Sequence, residues 1–186
     1  MKNKRATELE YLRWFVRNAD FGPADGDIRD MMRERFEQMI DSDVRLTQQA
    51  ELGEALDFAG APKFDLDPCA ARELRKQLGL PPIADVEWDI EDDGLSRDWF
   101  GRVFVNPPFS DIMPWVEKAE REIKRDSVST ITFLVPANRT EQPWFQRVQD
   151  LQWDMRFLPK RRSFIYPDGS VKKSPPFGVV LLGVAE

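Results

Sequence analysis

The sequence predicts an α/β protein: a mixed sheet flanked by helices, an antiparallel hairpin at its C-terminal edge, and a helical appendage at its N-terminus. Three observations predict it. Between residues 63 and 158 short β-prone runs alternate with helical patterns, as in a largely parallel sheet with crossover helices. Several of those runs stop at a proline, as in Asp67-Pro68, Asn106-Pro107-Pro108 and Val135-Pro136. Proline has no N–H to give the ladder, so the strand ends there. Two further apolar runs flank Pro167-Asp168-Gly169-Ser170, a strong turn signal. The expected division is residues 1–58 as the appendage and 59–186 as the sheet domain.

The elements follow in order. Thr7-Glu8-Leu9-Glu10 reads as a capping box, because the Thr7 hydroxyl and the Glu10 carboxylate can satisfy each other's backbone N–H. Leu9, Leu12, Phe15 and Val16 then recur at helical spacing up to about Asn18. Phe21-Gly22-Pro23 breaks this helix, and a second runs from about Asp27 to Ile40. A weaker third helix covers Val44 to Leu56. Phe64 and Leu66 alternate as a short strand ending at Asp67, and a helix follows to Leu78 with Gly79 as its stop. Ile83 to Trp88 is a second strand, and Val103-Phe104-Val105 a third. A helix from Ser110 or Asp111 reaches about Lys124 and tolerates Pro114 in its first turn. Ser129 to Pro136 is a long β run. Thr140 is the expected cap of a short helix holding Pro143, Trp144 and Phe145. Trp153–Leu158, Ser163–Tyr166 and Phe177–Val184 complete the strands.

Composition narrows the function. The 186 residues include thirteen Phe and six Trp, which suits a sizeable core and excludes disorder. No apolar run approaches the ~20 residues of a membrane-spanning helix. One cysteine and no histidine exclude a disulfide framework and a cysteine-rich or histidine-rich metal site. These features predict a cytoplasmic protein with no metal and no membrane partner. The net charge of −6 opposes nucleic-acid binding, but residues 151–186 carry six basic side chains against three acidic, a net of +3. Lys160, Arg161, Arg162, Lys172 and Lys173 form the candidate DNA-contacting patch; a solvated basic face is the plainer reading.

The chemistry centres on Asn106-Pro107-Pro108-Phe109. Asn106 precedes a proline and is held extended, so its carboxamide stands at a strand end. In open α/β sheets ligands bind there. An exocyclic amine on a nucleobase is a poor nucleophile because its lone pair is delocalised into the ring. Two acceptors aimed at its hydrogens favour a tetrahedral nitrogen and free that lone pair. The Asn106 side-chain oxygen and the Pro107 carbonyl are such a pair, Pro108 stiffens the turn, and Phe109 offers a ring against which a flipped base can stack. The electrophile that fits is a sulfonium methyl group. Asn-Pro-Pro is also a common strand terminator.

Asp67 and Pro68 end the first strand, where a carboxylate can meet ribose hydroxyls or a cofactor ammonium group; a helix N-cap explains the same Asp. Asp93, before Gly94, is placed to take a cofactor's adenine amino group, and turn formation explains it equally well. Cys69 has no activating base beside it and reads as a packed side chain.

Together these stretches resemble the phage-type DNA N-6-adenine methyltransferase family. The likeness spans about residues 62–184: Phe-Asp-Leu-Asp-Pro-Cys-Ala at 64–70, Asp-Gly-Leu at 93–95, Trp99, Arg-Val-Phe-Val-Asn-Pro-Pro-Phe-Ser at 102–110, Trp115 to Ala119, Leu134 to Ala137, Trp144-Phe145, Phe157-Leu158, Arg162 and Phe164. The central motif is shared by many amino-methyltransferases; the ordered set is far more specific. The resemblance implies a class I methyltransferase (Rossmann-like) fold, S-adenosylmethionine as donor and adenine in double-stranded DNA as acceptor. It carries over Asn106, Pro107, Pro108 and Phe109 as the catalytic loop, with Asp67 and Asp93 as cofactor ligands.

Two departures qualify it. The glycine-rich loop that usually follows the first strand is missing, so Asp67-Pro68-Cys69-Ala70 is either a reduced form of it or a later acidic site on the next strand. The family's Thr-Pro element is not recognisable in Leu46 to Pro62. Two other functions remain open: a methyltransferase acting on another amine, in glutamine or an RNA base, and a non-catalytic binding module that keeps the fold.

Overall fold

The computed structural model describes residues 45–166, 169–172 and 177–185. The chain divides into two compact units, residues 1–44 and 45–186. The first unit, with the helices expected over 7–18 and 27–40, lies outside the described residues, as does Lys173.

The second unit is an α/β sheet domain. In chain order its elements are α1 (Gln49–Ala59), β1 (Phe64–Asp67), α2 (Arg72–Gln77), β2 (Ala84–Glu87), a 3-10 turn (Ile90–Asp92), β3 (Gly101–Val105), α3 (Met113–Glu122), β4 (Val128–Pro136), α4 (Pro143–Asp150), β5 (Asp154–Phe157), β6 (Phe164–Ile165), β7 (Val171–Lys172) and β8 (Val179–Ala185). Six strands form one sheet in the order β2-β1-β3-β4-β8-β5. The pairs from β2 to β4 are parallel, and β8 runs antiparallel to both β4 and β5.

Two apolar clusters pack against the sheet. Leu66, Val103, Val105, Ile131, Phe133, Val180 and Leu182 face a core that includes Trp115, Val116, Trp144 and Phe145 of α3 and α4. Phe64, Phe104, Leu134, Val179 and Leu181 face a second core built with Leu52 and Ala55 of α1 and with Phe164. Because α1 packs there, over β4 and β8, it belongs with the sheet and not with the appendage in which the sequence reading places it. Gly183 allows this approach, since a Cβ there would stand 2.6 Å from the Phe58 ring.

The antiparallel strands expected at the C-terminal side are present, but their pairing differs. Instead β6 pairs with β7 in a separate two-stranded ribbon, and β8 enters the main sheet between β4 and β5. The cause lies in the side chains. Val179, Val180, Leu181 and Leu182 are all buried, and each such side chain contributes about 1.5–3 kcal/mol on burial. A strand apolar on both faces therefore takes an interior place, while Asp154-Met155-Arg156-Phe157, mostly exposed, takes the edge.

Two helix starts also differ from expectation. Ile112, not Ser110 or Asp111, is the N-cap of α3, and Gln142, not Thr140, is that of α4; neither gives a side-chain cap. A proline in the first turn of each makes the missing cap less costly, because it removes one N–H that would otherwise need a partner.

Candidate active site

Strand order reverses between β1 and β3: β2 lies to one side of β1, and β3 and β4 to the other. At such a switch point the loops beyond the carboxyl ends of the strands part and leave a crevice. Both sequence-predicted motifs stand there. Asp67 ends β1 and Asn106 follows β3. The Asp67-Pro68-Cys69-Ala70 loop thus follows the first strand of the sheet.

Asp67 is not a helix cap. The N-cap of α2 is Ala71, and Asp67 Oδ1 instead accepts from the Cys69 N–H at 3.1 Å. The carboxyl is 4 % exposed. Burial, with the nearby charge of Glu87 adding to it, pushes its pKa up to about 7, against the opposing pull of the Cys69 hydrogen bonds and the Arg75 charge. Burial likewise drives the Cys69 thiol well up, with Asp67 as the second cause. A thiol so held is a packed group and not a nucleophile. The Asn106 main chain also hydrogen-bonds this sulfur, so the two motif loops touch.

Asp93 and Gly94 fold onto the same place. A Cβ on Gly94 would lie 1.9 Å from the Pro68 carbonyl oxygen, so only glycine lets this loop close on the first. The Trp99 indole N–H donates to the Gly94 carbonyl at 2.8 Å and fixes it from behind. Asp93 itself is left-handed, at φ 56°, and its N–H closes the 3-10 turn onto the Ile90 carbonyl. Asp93 thus takes part in a turn.

Arg75 ties the crevice together. It is 4 % exposed and donates through Nη1 to the Thr47 carbonyl at 3.1 Å and through Nε to the Pro81 carbonyl at 3.1 Å. Asp67 and Glu87 supply the negative charge it faces.

Asn106 is held by the segment just before α1. Its Nδ2 donates to the Arg45 carbonyl at 2.5 Å and to Thr47 Oγ1 at 3.1 Å. A backbone carbonyl can only accept, so the amide nitrogen must face it. Oδ1 therefore points the other way, and it is buried with no hydrogen-bond partner among the described residues. Such an orphan costs free energy, on the order of 1–3 kcal/mol, and a ligand N–H is one partner that would satisfy it. Pro107 is buried, and the Pro108 carbonyl accepts from the Asp111 N–H at 3.1 Å, closing the turn.

Phe109 is 6 % exposed. Its ring meets Phe164 and Phe177 edge-on, each at 5.9 Å between centroids, and the Arg45 guanidinium lies 5.9 Å from its centre. The same guanidinium lies 5.2 Å from the Tyr166 ring. Phe109 thus anchors the loop from within.

The basic candidates separate. Lys160 and Arg161 are exposed. Arg162 is half-buried and pairs with Glu54 of α1 at 2.9 Å. Lys172 contributes backbone to β7, opposite Phe164.

Sequence reasoning misses Arg45, Thr47 and Arg75. Their significance comes from contacts across long stretches of chain, and the local pattern around Thr47 reads only as the start of a weak helix. Among the described residues no helix is long and apolar enough to cross a membrane.

The sequence profile of the DNA N-6-adenine-methyltransferase (Dam) family matches residues 50–181. No curated protein matches the chain. Among solved structures, the crystal structure of 23S rRNA methyltransferase ErmE is similar at 11 % identity and a TM-score of 0.46, covering 77 % of this chain and 70 % of that one. The match to the family takes in β1 to β7, both motif loops and the first three residues of β8, and the mixed sheet agrees with the class I methyltransferase fold. The chain is a methyltransferase, and it belongs to the DNA N-6-adenine-methyltransferase (Dam) family.

Proposed function

We propose that the protein transfers a methyl group from S-adenosylmethionine to the exocyclic amino group of adenine in DNA. The observation that carries the reading is the Oδ1 of Asn106, buried and unpartnered among the described residues, an acceptor set at the strand end where an amine N–H would complete it. S-adenosylmethionine, when bound, supplies a sulfonium methyl as the electrophile.

The residues on the β1 side fit such a donor. The Asp67 carboxyl is buried and strained towards its neutral form, so a cationic or hydroxylic partner would return what burial has cost it. Pro68 follows it in the chain, and the Asp93-Gly94 loop closes on the Pro68 carbonyl.

On the β3 side Asn106 does the orienting. Its Nδ2 stays with Arg45 and Thr47, and Oδ1 takes one hydrogen of the adenine amine. The Pro107 carbonyl is the second acceptor. As the nitrogen turns tetrahedral its N–H groups become more acidic, so both hydrogen bonds strengthen in the transition state. Stacking of the base on Phe109 requires the Arg45 guanidinium to leave the ring it now overlies. Lys160 and Arg161 are exposed cations suited to DNA phosphates.

The test is single-turnover methylation of an unmethylated duplex at saturating donor, with the product nucleosides separated after digestion. N6-methyladenine is the expected product, and Asn106→Ala is expected to lower the rate by ~100-fold or more with donor affinity nearly unchanged. Transfer at close to the parent rate by Asn106→Ala, or a methyl group found only on another acceptor, would overturn the reading.

A further inference from the structure

We infer that Thr47 is a positioning residue for methyl transfer: its hydroxyl is the second acceptor for Nδ2 and holds the Asn106 carboxamide in the rotation that the Arg45 carbonyl selects, so that Oδ1 and not Nδ2 faces the acceptor amine. The inference rests on the proposed role of Asn106.

The amide of an asparagine is nearly symmetric in shape. Rotated by half a turn, it would present two N–H donors to an amine that needs an acceptor. Which face is presented depends on the groups behind it. Here two groups stand behind it, the Arg45 carbonyl and Thr47 Oγ1, and both accept from Nδ2. A carbonyl cannot donate. In the rotated state Oδ1 would face it and lose that bond, leaving Thr47 Oγ–H as the only group able to donate. The observed state keeps both bonds, at the cost of a buried Oδ1 without a partner among the described residues.

Thr47 can hold this place because it is itself held. It is 3 % exposed. Its carbonyl takes the Arg75 Nη1 hydrogen bond at 3.1 Å, and Arg75 is fixed at its other edge by the Pro81 carbonyl. On one side the Leu46 main chain pairs with Ile165 in an isolated bridge, and on the other Gln48 Nε2 donates to the Ser163 carbonyl at 2.8 Å. The segment is therefore pinned from three directions, and Asn106 is fastened to a rigid wall and not to a swinging loop. Arg75 also faces the Asp67 and Glu87 charges, so the wall behind the acceptor site is anchored in the same crevice as the donor-side carboxyl.

The experiment compares the parent, Thr47→Val, Thr47→Ser, Asn106→Ala and the Thr47→Val/Asn106→Ala pair. Valine keeps the shape and removes the acceptor; serine keeps the acceptor. Single-turnover methyl transfer to an unmethylated duplex is measured at saturating donor, with donor affinity and melting temperature measured separately. Thr47→Val is expected to slow transfer by about 10-fold, as for the loss of one hydrogen bond, with donor affinity within about twofold of the parent. Thr47→Ser is expected to restore most of the rate. In the Asn106→Ala background Thr47→Val is expected to have no further effect, because it acts only through that side chain. A full additive loss in the double variant, or an effect on donor affinity alone, would overturn the inference.

A second arm needs no activity. In the NMR spectrum of the parent the Asn106 side-chain NH2 protons should be resolved and protected from exchange, and Thr47→Val should speed their exchange by at least several-fold. Unchanged exchange would overturn the positioning role even if the protein methylates nothing. An inactive parent whose Asn106 amide still depends on Thr47 would overturn the proposed function and leave this inference standing.

Discussion

At the scale of single residues, the candidate site has an acceptor left unsatisfied among the described residues, Oδ1 of Asn106. Asn106 was legible in the sequence because proline on its C-terminal side and an apolar run before it leave little choice of conformation. Asp67 was legible as a strand end, though its environment was not: no local pattern tells that Arg75 and Glu87 come to face it. That environment has a consequence for pH. The folded pKa of Asp67, about 7, lies above its unfolded value of roughly 3.9. Between about pH 4 and about pH 7 the folded chain keeps a proton there that the unfolded chain has released, so this group lowers stability as pH rises through that window and changes nothing further above it. Asp67→Asn has no proton to lose. Urea unfolding at about pH 5 and about pH 8 should show the parent losing more stability on the way up than the variant does. Equal losses would mean that the carboxyl is not strained.

At the scale of elements, strands bounded by proline and helices ended by glycine were readable. Gly79, at φ 66°, does stop α2, by returning its N–H to the Lys76 carbonyl. The β6–β7 ribbon was not readable, because two-residue strands carry no periodic signal. The position of α1 was also hidden, since its charged residues gave no hint of their partners. Those partners divide the basic patch. Glu54 holds Arg162, and Asp57 holds Arg156 at 2.6 Å, whereas Lys160 and Arg161 are exposed. Neutralising Lys160 and Arg161 together should flatten the salt dependence of DNA binding by ~0.9 in log–log slope for each phosphate no longer neutralised, with unfolding unaltered. Arg162→Ala should do the reverse: the slope stays, and stability falls by about 1 kcal/mol. A changed slope with Arg162→Ala would place that side chain on DNA instead.

At the scale of the whole molecule, the fold class followed from alternation of elements, and the crevice from where the two motif loops must then emerge. The segment that braces Asn106 did not follow. The family's Thr-Pro element has no recognisable counterpart, since Thr47 precedes Gln48, and its bond to Asn106 spans 59 positions of chain. Such long-range pairings are what sequence periodicity cannot express.

The place of β8 also governs how the sheet comes into being. Among the described residues β5 has β8 as its sole neighbour in the main sheet, and β8 is the later of the two in the chain. Until β8 arrives, β4 ends in an open edge and β5 has nothing to dock on. The β2-β1-β3-β4 half can assemble from adjacent βαβ units, but the β4-β8-β5 half is a long-loop closure, the slow kind of step. The two halves should therefore ripen at different times. In pulsed hydrogen exchange during refolding, the amides of β5 and β8 should gain protection together, after those of β1 and β3. Protection of β5 ahead of β8 would contradict this order. A nascent chain would thus hold the walls of its crevice before it holds the far side of its own sheet.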